Sequence, residues 1–175
     1  MLVLKTKKYK KKILLIKTKY NEEGFALQGE KSIRGMKIGI ENKKGSYRKG
    51  KDKDGKSWKI KMNADYGYIE SIGNKEVRGA DKEHLDVYCG PNTNSKKIFV
   101  IHQQDPETKK YDEDKIMLGF DSKEEAKKLY LSQYNKPGFF QSMKELKIEQ
   151  FLEKIKSGKY DNKMIKSIMV LKAKK

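Results

Sequence analysis

Cysteine is almost absent from this 175-residue chain, and its single representative, Cys89, excludes a disulfide framework and a thiolate metal cluster. A reducing, cytoplasmic setting is the expectation that follows. Arginine is nearly as scarce: Arg34, Arg48 and Arg78 are the only ones among 42 basic residues, although the formal net charge is +18. Clustered lysines release counterions on phosphate, but base reading and bidentate phosphate binding favour the planar guanidinium. The charge therefore supports weak, nonspecific nucleic-acid binding, with a solvated lysine surface as the plainer alternative. Long apolar runs are missing too. The first twenty residues carry eight lysines, and their longest apolar run, Ile13 to Ile16, is too short for a signal-peptide core or a membrane span. No membrane partner is expected, and no internal repeat or low-complexity linker divides the chain.

What is present is a core-forming aromatic set, ten Tyr, six Phe and one Trp, in a chain long enough for one domain. We read residues 1–30 as a basic extension, 31–160 as the domain and 161–175 as a basic strand or tail. "MKIGIEN" (36–42), "DYGYIES" (65–71), "HLDVYCG" (84–90) and "KKIFVIHQQ" (96–104) have the composition and boundaries of strands. Between the first two, "KKGSYRKGKDKDGKSWKIKM" (43–62) reads as a turn-rich, charged excursion punctuated by Gly45, Gly50 and Gly55. The period then changes. Ser122 and Glu125 have capping-box spacing ahead of Ala126, Leu129, Tyr130 and Gln133 on one face, which predicts a helix over 122–134. Ile148, Phe151, Leu152 and Ile155 predict another over 148–158, stopped at Gly158. Strands followed by helices make an α+β fold.

Against this basic background two acidic groups stand out. "GADKEHLDVYCGP" (79–91) places Asp81, Glu83 and Asp86 in a turn entering a strand, and "DPETKKYDEDKIM" (105–117) adds Asp105, Asp112 and Asp114 ahead of Lys115. Crowded carboxylates repel unless a cation sits among them, and a hard, oxygen-binding ion such as Mg²⁺ is the natural neutraliser. The alternatives are an acidic surface loop for the first group and a hairpin tip for the second, Asp-Pro being a turn signal.

The succession "DYGYI" then "GADKEHLDVYCGP" resembles the soluble inorganic pyrophosphatase family, with its Tyr-Gly strand followed by a metal-binding acidic turn. From 36 to 160 the pattern is similar above all to the pyrophosphatase-like domain of phage and mobile-element polyvalent proteins. The resemblance implies a small, closed, OB-like β-barrel with helices packed outside, and Mg²⁺-dependent hydrolysis of a polyanion, pyrophosphate, by metal-activated water. It implies Asp81, Glu83, Asp86, Asp105 and Asp112 as metal ligands, with Asp86 and Glu83 as the catalytic acids. Lys37, Arg48, Tyr66 and Lys115 are implied as substrate-binding residues. Departures from the family pattern fall at Glu83 and His84, at Gly39, for which Glu41 is a possible substitute, and at Met62.

A related hydrolase of a nucleotide or other phosphorylated metabolite, and a noncatalytic nucleic-acid module, are the rival functions. Five further residues admit two readings each. Tyr130 and Tyr134 could touch substrate or pack in the core, and Trp58, between Lys56 and Lys59, could stack on a base or anchor a strand. Isolated, His102 reads as a satisfied strand residue, and Cys89, without a partnering base at motif spacing, reads as a small buried hydrophobe.

Overall fold

The computed structural model describes residues 18–79 and 82–156. Its elements run β1 (Gly29–Ile33), β2 (Met36–Asn42), β3 (Tyr47–Lys51), β4 (Ser57–Lys61), β5 (Asp65–Ile72), β6 (Lys75–Glu76), β7 (Leu85–Cys89), β8 (Lys97–Gln104), β9 (Tyr111–Leu118), α1 (Lys123–Leu131), β10 (Phe140–Lys147) and α2 (Ile148–Lys156). This is an α+β fold. The four sequence-predicted strands form, and β1, β9 and β10 join them. No helix among the described residues is long and apolar enough to cross a membrane.

One large sheet has the order β1-β2-β5-β7-β9-β8-β10, with β6 paired to the end of β5. All its pairs are antiparallel except β7 with β9, where Asp86 lies opposite Lys115. The closed OB-like barrel is not what this path shows. It begins at β1 and ends at β10, and no pairing among the described residues joins those two strands.

Alternation gives the sheet two unlike faces. One is aliphatic: Ile38, Ile40, Ile69, Val87, Val100, Ile116 and their neighbours form a cluster closed by Ile148 and Phe151 of α2. The other is aromatic: Tyr66, Tyr88, Phe99, Ile101 and Met117 pack with Ala126 and Tyr130 of α1. Helix α1 starts where its sequence requires, the Ser122 hydroxyl accepting the Glu125 N–H at 3.1 Å. The Glu125 carboxylate reaches back to the Asp121 N–H instead of that of Ser122 (3.2 Å). The helix ends at Leu131, three residues short of the prediction, because Gln133 and Tyr134 close tighter turns onto Tyr130 and Leu131.

The stretch 43–62 is more ordered than a turn-rich excursion. It forms a two-stranded hairpin of β3 and β4, pairing Arg48 with Ile60 and Gly50 with Trp58. Asp52 shapes its tip by accepting the N–H groups of Asp54 and Lys56 (3.1 and 2.8 Å). Residues within the sequence-defined extension lie against the sheet: Gln28 bonds Ile40 and Leu27 bonds Lys19 through the backbone (2.7 and 2.8 Å). The expectations for residues 1–17, for Asp81, for Gly158 and for 161–175 lie outside the described residues.

Candidate functional site

The site grows from the aromatic face, where three strands bring one polar residue each to the same level. Lys115 of β9 is buried, with 3% exposure, and its ammonium group is ion-paired to Asp86 of β7 and to Glu113 (2.7 Å). Tyr66 of β5 donates its hydroxyl to Asp86 at 2.7 Å and lies 3.4 Å from the lysine nitrogen. Register explains the meeting, because Asp86 is opposite Lys115 on one side, and on the other Tyr66, which lies opposite Tyr88, is its diagonal neighbour. Burial by itself would lower the Lys115 pKa, but Tyr66, Asp86 and Glu113 outweigh it and hold the ammonium well above the ordinary lysine range. Burial pushes the Glu113 carboxyl up, Lys115 opposes that, and the negative charges of Asp86 and Asp112 add to it.

Gln103 of β8 ties this group to the α1 region. Its amide donates to Asp112 and Glu113 (3.0 and 2.9 Å), while its carbonyl oxygen accepts the hydroxyls of Tyr130 and Tyr134 (2.8 and 2.6 Å). Both tyrosines thus pack and position: Tyr130 is fully buried, and Tyr134 reaches the cavity beside the site. That cavity, of about 570 Å³, lies between the β3–β4 hairpin and the ends of β8 and β9. Arg48 enters it from the hairpin, its guanidinium 4.7 Å from the Tyr66 ring centre and 5.8 Å from that of Trp58.

The other sequence-derived candidates divide. Asp112 and Asp105 line the cavity with Lys115 and Arg48. One Asp105 oxygen is committed to its own turn, accepting from Glu107 and Thr108 (2.9 and 2.8 Å), and the other accepts from Lys53 (3.3 Å). The Thr108 and Glu107 N–H groups, with Lys53, bring its pKa down to about 2. Glu83 is exposed in the turn before β7, its backbone carbonyl accepting the Gly79 N–H at 2.8 Å. His84 at the departure from the family pattern is held by Val77 (2.7 Å) and stacked on Tyr68.

Lys37 is not brought to this group. It shares a face of β2 with Gly39 and Glu41 but pairs with Glu70 at 2.8 Å and Glu30 at 3.7 Å. Gly39 has a steric reason: a Cβ there would come within 3.0 Å of the Tyr68 ring and 3.1 Å of Leu27. Glu41, two residues along, does feel the site. Burial raises its pKa, Asn21 opposes that, and the charge of Asp86 adds to it. Met62 is an apolar core residue packed with Tyr66 and Tyr88.

Two residues of the site were missed by sequence reasoning, Glu113 and Gln103. Asp114, which the acidic run singled out, points to the opposite face and is buried against His102 at 2.6 Å. The missed signal is parity. In "YDEDKIML", Asp114 is in phase with the core residues Ile116 and Leu118, and Glu113 is in phase with Lys115. His102 is a buried strand residue bonded to Asp114 through Nδ1, but its Nε2 has no hydrogen-bond partner among the described residues, so it is only half satisfied; Cys89 is a buried small side chain whose thiol burial pushes up to about 12.

A second group, Glu22, Glu76 and His84, brings three potential ligand atoms within 4.8 Å of one another. It holds a cation, the Arg78 guanidinium, as the acids around Lys115 hold an ammonium, but its third donor is an imidazole nitrogen, which a hard divalent ion such as Mg²⁺ does not favour. The acids around Lys115 fit one better: Asp86, Asp112 and Glu113 offer oxygen donors only, and each lies beside another carboxylate that a divalent ion would relieve.

The family model for inorganic pyrophosphatase matches residues 17–156. The chain belongs to the inorganic pyrophosphatase family. No curated protein and no solved structure matches it.

Proposed function

We propose that the chain is a Mg²⁺-dependent phosphoanhydride hydrolase that cleaves inorganic pyrophosphate to two phosphates. The observation that supports it most is the meeting of Asp86, Glu113, Lys115 and Tyr66, of which Glu113 and Lys115 line a cavity together with Arg48, in a member of this family. Asp86, Glu113 and Asp112 would hold the metal, together with Glu83 and Asp81 from the acidic turn. When bound, the ion supplies Lewis acidity and a water of lowered pKa.

The chain's own residues do the rest. Tyr66 fixes the Asp86 carboxylate through its hydroxyl, and Gln103 does the same for Glu113 and Asp112. Lys115 and Arg48 provide positive charge on the cavity side, where charge accumulates on the departing phosphate. Arg48 suits this task because its guanidinium is held by aromatic faces, and no carboxylate of the described residues is ion-paired to it. The proposed setting is cytoplasmic, and the sequence pattern over 36–160 supports a phage or mobile-element origin.

Phosphate release from pyrophosphate, measured with Mg²⁺ and with excess chelator, tests this reading. We expect turnover that requires the ion and falls by about a hundredfold or more in Asp86→Asn. Release that chelator and Asp86→Asn both leave unchanged would overturn it.

A further inference from the structure

The cavity lined by Lys115 is larger than an inorganic anion needs. Its volume of about 570 Å³ lies within the range of pockets that enclose small organic ligands, roughly 300–1,000 Å³. Among its charged lining residues stand five aromatic or apolar ones: Trp58 and Ile60 on the hairpin, and Tyr134, Phe139 and Pro106. The Tyr134 and Phe139 rings are themselves in contact, with centres 4.7 Å apart.

Trp58 is held in place by the residue it faces. Gly50 is its partner across the hairpin, and a Cβ at that position would lie 2.4 Å from Cζ2 and 2.7 Å from Cε2 of the indole. The ring therefore lies over the glycine, at van der Waals range of bare backbone, and remains half-buried at the cavity wall. Arg48, on the same inward face of β3 as Gly50, places its charge beside the ring. A planar aromatic surface next to a guanidinium, with a second cation at the cavity floor, matches a nucleotide: a base to stack and a chain of phosphates to neutralise.

We propose that this site also accepts nucleoside di- and triphosphates, with the base on Trp58 and the phosphoanhydride between Arg48 and Lys115; this rests on the hydrolase reading above. In the reaction a water oxygen forms a bond to one phosphorus and the bridging P–O bond breaks. The bridging oxygen leaves with the bonding electron pair on the other phosphate, and one proton passes to solvent. No oxidant or further reactant is needed.

Trp58 is the only tryptophan in the chain, so its fluorescence reports on stacking directly. With Mg²⁺ present, a methylene-bridged nucleoside diphosphate should quench the emission saturably, and imidodiphosphate should quench it far less. In wild type, nucleoside diphosphates and pyrophosphate should both be cleaved. Trp58→Leu should lower the ratio of nucleotide to pyrophosphate kcat/KM by roughly tenfold, with partial recovery in Trp58→Phe. Gly50→Ala, which displaces the ring without deleting it, should lower the same ratio. Pyrophosphate cleavage without nucleotide cleavage, or equal loss on both substrates in every variant, would overturn the inference and leave the hydrolase reading standing. Saturable quenching by the nucleotide analogue with no hydrolysis of either substrate would support the nucleotide site and overturn the hydrolase reading. Equal quenching by both analogues would count against the nucleotide site.

Discussion

The two faces of the large sheet solve different problems with the same strands. On the aliphatic side Ile, Val and Leu pack against α2, His102 is buried against Asp114, and Lys31 pairs with Asp65 at the margin. On the aromatic side the packing residues carry hydroxyl or amide groups as well as rings. Tyr66, Tyr130 and Tyr134 each end in a hydrogen bond to Asp86 or Gln103. Tyrosine contributes apolar area and a directed donor together, so a face built from it can bury a lysine and two acids without leaving them unpartnered. The proposed chemistry falls on that face, where Asp86, Glu113, Lys115 and Arg48 lie together.

Neighbouring residues on opposite faces give the sharpest way to break this comparison. Glu113→Gln should lower kcat/KM for pyrophosphate by about a hundredfold or more, with little change in the urea midpoint. Asp114→Asn should do the reverse: activity within about threefold of wild type, and stability reduced by about 1–3 kcal/mol as the bond to buried His102 weakens. Steady-state kinetics and urea unfolding of the two variants decide it, and similar losses of activity in both would abolish the distinction.

The next contrast pairs two core residues. Ile116→Ala, on the aliphatic side, should cost about 2–5 kcal/mol of stability and leave KM unchanged in protein that remains folded. Tyr66→Phe keeps the packed ring and removes the donor to Asp86, so it should cost only about 1 kcal/mol of stability but roughly tenfold in kcat. A smaller effect is expected at the hairpin. Arg48→Met should raise the pyrophosphate KM by several-fold to about tenfold while Mg²⁺ affinity, read by isothermal titration, stays at the wild-type value.

The smallest effect is set by pH. The folded pKa of Asp105 is about 2 against an ordinary 3.8, so the unfolded chain binds the proton more tightly. The stability it contributes is complete above about pH 4 and is lost as pH falls from there towards 2. Asp105→Asn should flatten that part of an acid-unfolding curve and leave the curve above pH 5 parallel to wild type. An undiminished slope between pH 4 and 2 in the variant would place the Asp105 linkage elsewhere.

Most of the fold could be read from local pattern, and the exceptions have physical causes. Alternating apolar residues made β2, β5, β7 and β8 visible, and Ser122 with Glu125 marked the start of α1. Strand β9 was obscured because its first half, Tyr111 to Lys115, is charged, and a charged half-strand looks like a loop until its phase is set by the apolar half. That is why Asp114 was favoured over Glu113. Gln103 gave no signal at all, since its importance comes from lying between β9 and α1, a tertiary relation. Asp86, Lys115, Tyr66 and Arg48 were legible as a set through the family resemblance, and the structure brings them together. Lys37 was drawn in by the same resemblance and lies instead among Glu30 and Glu70. Barrel closure depends on how far a sheet curls, which no short window encodes.

Among the described residues nothing pairs with the outer edges of β1 and β10, and strand margins of this kind invite copies to zip together. β1 is only five residues long and presents Glu30, Lys31 and Ser32 to solvent, and β10 places Lys144 and Lys147 along its length. Both margins carry charged side chains of mixed sign, Glu30 with Lys31 on one and Lys144, Glu145 and Lys147 on the other, and charges along an edge strand make strand-to-strand docking of two molecules unfavourable. Charge on these edges thereby has a use apart from any ligand: it opposes association of copies through their own backbone.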